Sequence, residues 1–158
     1  MSYQQLAAGL DADAKLIDAA WAYELAVQGT EASLEEYLDL AAVYFTLADP
    51  GYFLAHDIDR RVIDVAYVRA QEVLILAAKR FGTSSETSAW QFLLRERVLG
   101  ESFPREIMER LAHAGSSTAT LALYIASERT LFAHEAKAVI DEARSQTTAR
   151  KRYIFSFA

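Results

Sequence analysis

An all-α fold of about seven helices, stacked as antiparallel hairpins, is what this chain of 158 residues predicts. Three observations lead there. Small–large–small triplets recur at Ala19/Tyr23/Ala26, Ala70/Leu74/Ala77, Ile107/Leu111/Ala114 and Ala136/Ile140/Ala143. Between them lie sets with a different spacing: Tyr37/Leu40/Ala41/Tyr44, Trp90/Leu93/Leu94 and Thr118/Leu121/Ala122/Ile125. Offsets of three and four put each set on one helical stripe. Two alternating stripe types suit hairpins that bury small residues against the next pair. Finally, period-two alternation is sustained only in the tail, Tyr153–Phe157, so strands have no other candidate.

Start and stop signals place the elements in order. The first helix runs from about Asp11 to Gln28 and stops at Gly29, a residue suited to a left-handed cap. The second starts at Ser33, with Glu36 three residues on as a capping box, and ends near Asp49 before Pro50-Gly51. The third starts near Asp57 or Asp59 and runs to Phe81 ahead of Gly82. Thr83 with Glu86 caps the fourth, which stops at Gly100. The fifth has Pro104 in its first turn and stops at Gly115. The sixth runs from about Ser117 to Arg129 and the seventh from about Leu131 to Arg150. Linkers of two to six residues imply antiparallel neighbours. No stretch rich in Pro, Gly or Ser divides the chain, so residues 1–158 read as one domain with an apolar tail at 153–158.

Composition narrows the function. The formal net charge is −6, and such a surface repels phosphate backbones, so nucleic acid is not expected as a partner. It suits a basic protein instead. There are no cysteines, which removes disulfides and thiolate metal sites. No apolar run approaches the ~20 residues of a membrane span, and Met1–Leu10 lacks the pattern of a secretory signal. The expected location is the cytoplasm, with no membrane contact. No glycine-rich phosphate loop occurs, and no cofactor is expected.

The helix pairs resemble tetratricopeptide-type repeats across most of residues 11–150. In that family the first helix carries a bulky residue, a large one three on, a small one next and an aromatic three later. Tyr37, Leu40, Ala41 and Tyr44 match this order. Trp90, Leu93 and Leu94 match in part, with Arg97 in the aromatic's place, and Thr118, Leu121, Ala122 and Ile125 match loosely. The second-helix pattern of Ala, aromatic and Ala fits Ala19/Tyr23/Ala26, and fits the Ala70 and Ala136 triplets with aliphatic substitutes. The triplets start at unequal intervals, whereas a regular repeat recurs every ~34 residues. The resemblance therefore implies a degenerate helical-repeat domain with an insertion around Pro50–Arg61; the alternative is an irregular helical bundle.

Two segments stand out from that frame. The first, Asp49–Arg61, packs Tyr52, Phe53, His56, Asp57, Asp59 and two arginines into a short loop. Loops carry function more often than scaffolds do, so it reads as a binding surface. His56, Asp57 and Asp59 are also metal-ligand types, but nothing in their spacing fixes a geometry, and no metal site is expected. The plain alternative tucks Tyr52 and Phe53 under the loop and lets Asp57 or Asp59 cap the next helix. The second segment is the tail. Arg144, Arg150, Lys151 and Arg152 form a basic patch before apolar Tyr153–Phe157. Such a tail either folds back to cap the stack or docks on a partner or a second copy as a homodimer contact.

Arg129-Thr130-Leu131-Phe132-Ala133-His134 is similar to the Arg–His signature of HEPN ribonucleases, which implies phosphate binding by Arg129 and proton transfer by His134. Thr130 departs from that signature, and the acidic charge opposes RNA as a substrate. His113, in the last turn of its helix, suits the helix dipole. The aromatics Trp21, Tyr23, Tyr37, Tyr44, Phe45, Tyr52, Phe53, Tyr67, Phe81, Trp90 and Phe92 crowd the first 100 residues, and most are expected in the core. Those on a concave helical face are also usual anchors for a protein partner. The function expected is thus a protein-interaction module, not an enzyme, that holds a protein or peptide through Tyr37, Tyr44, Trp90 or the Tyr52–Asp59 segment. Neutralising a basic partner would be one specialisation of it; the alternative is a ribonuclease using Arg129 and His134.

Overall fold

Ser2 caps a helix that the stripe pattern did not mark. Its hydroxyl accepts the Gln5 amide, and the Gln5 side chain accepts the Ser2 amide, which starts α1 (Tyr3–Ala12). In this computed structural model, which describes residues 1–158 apart from the side chains at positions 98 and 99, Ala14 then adopts a left-handed conformation (φ 56°). The expected first helix therefore begins only after the break, as α2 (Leu16–Val27). The Ser33/Glu36 box starts α3 (Leu34–Ala48) where expected. Arg80 donates to the carbonyls of Val27, Gly29 and Thr30 and so caps the end of α2 from a distance.

The expected loop after α3 is a helix. Asp49 accepts the Gly51 amide at 2.8 Å, Pro50 supplies a preset φ, and α4 (Pro50–His56) follows. Asp57 at φ 51° ends it, and Asp59 caps α5 (Arg60–Phe81) by accepting the Arg61 amide. Ser84, not Thr83, caps α6 (Ser85–Leu99). Glu86 is thereby freed from the expected box and reaches across to cap α8 (Ser117–Ala126). It accepts the Ser116 hydroxyl at 2.7 Å, the Thr118 amide at 3.0 Å and the Thr118 hydroxyl at 2.8 Å. Glu86→Ala is expected to cost about 2 kcal/mol through these orphaned donors, read as a lower urea midpoint with an unchanged slope. Between those two helices lies α7 (Arg105–His113), which follows Pro104.

The expected last helix is interrupted. It forms α9 (Ala133–Glu142), a 3₁₀ turn at Ala143–Ser145 and α10 (Ala149–Phe155), with Gln146 left-handed at φ 51°. The tail is helical where its alternation pointed to an extended segment. Thr148 caps it by accepting the Lys151 amide, and the four-residue offset brings Tyr153 and Phe157 edge to face at 5.2 Å.

All regular structure among the described residues is helical. Helix α3 is the hub: α2, α4, α5, α6 and α10 all pack on it. From α5 onward each helix packs on the next up to α9, and α10 then returns to α3. The Ala19, Ala70 and Ala136 triplets are buried throughout. The Ile107 triplet is displaced by one residue: Met108 is fully buried while Ala114 is exposed. A smaller second core of Leu121, Tyr124, Ala136 and Ile140 sits under Ile154, Phe155 and Phe157.

Candidate functional site

The return of α10 rests on charge. Asp11 of α1 is fully buried, and its carboxylate accepts the Ala149 amide at 2.8 Å, the Arg152 guanidinium at 2.5 Å and the Tyr23 hydroxyl at 3.1 Å. Arg152 also donates to the backbone carbonyls of Asp11 and Gln146. Two residues before Arg152, Arg150 pairs with Asp39 at 3.0 Å and with Glu35. Burial works against the Arg150 charge, but Asp39 and Glu35 outweigh it, so its pKa is raised. Burial pushes Asp39 up to about 6 despite Arg150, with Asp11 and Glu35 adding repulsion. Arg150 and Arg152 of the basic patch are thus matched inside the molecule, and the acids of α1 and α3 that they meet are engaged within the fold.

With α10 in place, its ring Tyr153 fills the joint. It lies edge-on to Phe45 at 5.3 Å and tilted to Trp90 at 6.0 Å, with the Arg97 guanidinium over its face at 5.6 Å. Burial pushes the Tyr153 hydroxyl up to about 12. The buried Trp90 Nε1 has no hydrogen-bond partner. Arg97 is held by Asp49 at 2.8 Å, which ties α6 to the start of α4, and that bond raises its pKa.

Between α4 and α10 these contacts leave a cleft of about 520 Å³. Leu16, Phe45 and the Tyr52 and Tyr153 rings give it apolar walls. Arg97, Arg152 and His56 also line it, against one carboxylate, Asp49. His56 stacks on the Tyr52 ring with centroids 4.0 Å apart, and its Nδ1 lies 2.9 Å from the Tyr52 carbonyl oxygen. The tautomer that makes this bond carries its proton on Nδ1, which leaves Nε2 to accept. Asp11 already answers Arg152 and Asp49 already answers Arg97, so the cleft offers apolar walls with the outer N–H groups of its arginines as hydrogen-bond donors. The two segments that stand out in the sequence, Asp49–Arg61 and the tail, meet here.

Other expected site residues lie apart. Tyr37 is buried, its hydroxyl donating to the Val27 carbonyl at 3.1 Å, and Trp90 is buried under Tyr153. Neither presents a surface to a partner, because Val27 of α2 and Phe81 of α5 meet Tyr37 while Tyr153 of α10 lies over Trp90. Tyr44 is half-buried and donates to Glu24 at 2.7 Å, beside the two-pronged Arg69–Glu24 pair at 2.7 and 2.9 Å. Burial opposes the Glu24 charge, yet Arg69 and Tyr44 lower its pKa overall. Phe53 is half-buried, and Asp57 and Asp59 are exposed at the α4–α5 turn, where Asp59 serves as a cap. Among the described residues no group of three or more His, Asp or Glu is placed to hold a metal ion. Trp21, expected in the core, is exposed and meets Tyr3 edge-on at 6.4 Å.

Arg129 and His134 are both exposed. Arg129 sits in a left-handed turn (φ 69°) and His134 in the first turn of α9, and no hydrogen bond or ion pair joins them. Among the described residues no helix is long and apolar enough to cross a membrane. Comparison with known proteins returns no matching family model, no matching curated protein and no matching solved structure. The residues that sequence reasoning missed are Asp11, Asp39 and Arg97, the acidic partners of the tail's arginines and the cation over Tyr153. For Asp11 and Asp39 the basic patch was the one signal, since ion pairs across a hundred residues leave no periodic trace.

Proposed function

We propose that this chain is a protein-interaction module whose docking site is the cleft between α4 and α10. The partner is a protein or peptide that inserts an apolar side chain with a carboxylate beside it. The observation that carries this reading is the convergence of both exceptional segments on one apolar cleft rimmed by Arg97, Arg152 and the Tyr52–His56 stack. A protein partner fits better than a small molecule because exposed apolar residues continue past the cleft. Leu54 on α4 is 77% exposed and Ile17 on α2 is 48% exposed. Helical pairs stacked in the tetratricopeptide manner belong to the same reading, supported by the packing of neighbours from α5 to α9; the return of α10 to α3 is its departure.

The test is selection of short peptides from a random library against the whole chain. Enriched peptides are expected to pair an aromatic or aliphatic residue with Asp or Glu. Ser156 lines the cleft and is exposed, so Ser156→Trp fills the space without touching the core. It is expected to weaken the selected peptide about thirtyfold, the equivalent of about 2 kcal/mol for a lost anchor, with Tm unchanged. Peptides that bind this variant as well as the parent would defeat the reading.

A further inference from the structure

We propose a second site: an oxyanion pocket beside α9 and the end of α10 that takes a phosphate-type head on a small apolar body. It is a separate cavity of about 320 Å³, bounded by the α8–α9 turn, α9, the 3₁₀ turn and the end of α10. Three cations reach it from three different elements: Arg129 from the turn, Lys137 from α9 and Arg144 from the 3₁₀ turn. On a chain of net charge −6 such a grouping runs against the overall balance.

The charges are largely unanswered. Among the described residues, Arg129 and Lys137 make no ion pair, and Arg144 alone is met, by Asp141 at 2.9 Å. The Ala158 end of the chain lines the same pocket but forms no ion pair with any of the three. Below the cations the floor is apolar. Ile140 and Phe157 line it, and Phe155 lies beneath the Arg144 guanidinium at 5.8 Å. Arg129 reaches this place through an unusual backbone. Glu128 and Arg129 are consecutive left-handed residues (φ 55° and 69°), and the Arg129 amide donates to the Tyr124 carbonyl at 2.8 Å. A non-glycine residue in that region is strained by about 1 kcal/mol or more, and strain of this kind collects at ligand sites. Guanidinium forks above an apolar floor select an anion that also has a hydrophobic part.

The probe is phenyl phosphate, titrated into the isotope-labelled whole chain and followed by amide chemical shifts. Saturable shifts are expected at the 128–132 turn, α9 and Phe155–Phe157. Inorganic phosphate and phenol, the two halves of the probe, are each expected to bind about tenfold more weakly or worse. The double variant R129Q/K137Q, exposed and unpaired in the parent, is expected to keep its Tm and to lose about tenfold in affinity. Raising the salt concentration is expected to weaken the parent's binding. No saturable shift there, binding unchanged in the variant, or equal binding of inorganic phosphate or of phenol would overturn the proposal.

Discussion

Asp11→Ala is expected to destabilise the fold by about 3–5 kcal/mol, the range for removing one partner of a buried ion pair. The carboxylate is the meeting point of α1, α2 and α10, and its loss strands Arg152, the Ala149 amide and the Tyr23 hydroxyl together. The effect is expected to be local as well as global. Amides of α10 should exchange much faster in the variant, because the ion pairs that remain between this helix and the rest of the fold are those of Arg150 with α3. Asp11→Asn offers a control. Burial raises the pKa of Asp11, against the pull of Arg152, so part of the cost of this site is the charge itself. The amide side chain removes that cost while its oxygen still accepts, so Asn is expected to be milder than Ala. Urea unfolding and native-state exchange measure both effects, and α10 amides as protected in the Ala variant as in the parent would contradict them.

The second large effect is with pH. Asp39 titrates at about 6 in the folded chain, against 3.8 for an unperturbed side chain. Between those values the folded state holds a proton that the unfolded state has released. Stability therefore falls as pH rises from about 4 to about 6, and stays lower above that. Two units correspond to about 3 kcal/mol as an order of magnitude. The groups facing Asp39 set this balance: Arg150 favours its charge, while Asp11 and Glu35 oppose it. Glu24 acts in the opposite sense. Its pKa is lowered, so its contribution is present above the ordinary glutamate range and is lost as pH falls through it. Stability is thus expected to peak on the acidic side of neutrality. Asp39→Asn is expected to flatten the decline between pH 4 and 7, measured as urea midpoints in a fixed salt concentration. A midpoint that rises through that window in the parent would contradict the assignment.

Local signals in the sequence carried far. The Ser33/Glu36 box and the Ala19, Ala70 and Ala136 triplets needed only neighbours along one helix, and the structure uses them directly. Where a local signal had two readings, tertiary contact decided. Glu86 follows Thr83 as a capping partner should, yet it caps a different helix. Pro50 broke α3 as expected and also began α4, because a proline that stops one helix is preset to start another. The tail's alternation was too short to set a strand against the Thr148 cap and the Tyr153–Phe157 contact. For the candidate site, Tyr52 and His56 were legible as an odd cluster, but Tyr37 and Trp90 were misread as accessible. Stripe position alone does not tell that Phe81 and Arg80 of α5 will close over Tyr37 or that the returning α10 will cover Trp90.

The most direct measurement of the central reading is an amide chemical-shift titration of the labelled chain with a peptide selected for binding to it. Shifts are expected to centre on Phe45, Tyr52, His56 and Tyr153, the residues that α4 and α10 bring to one cleft. Shifts confined instead to the exposed apolar side of α5, at Val65, Val68 and Ile75, would show that the partner docks elsewhere and would contradict it.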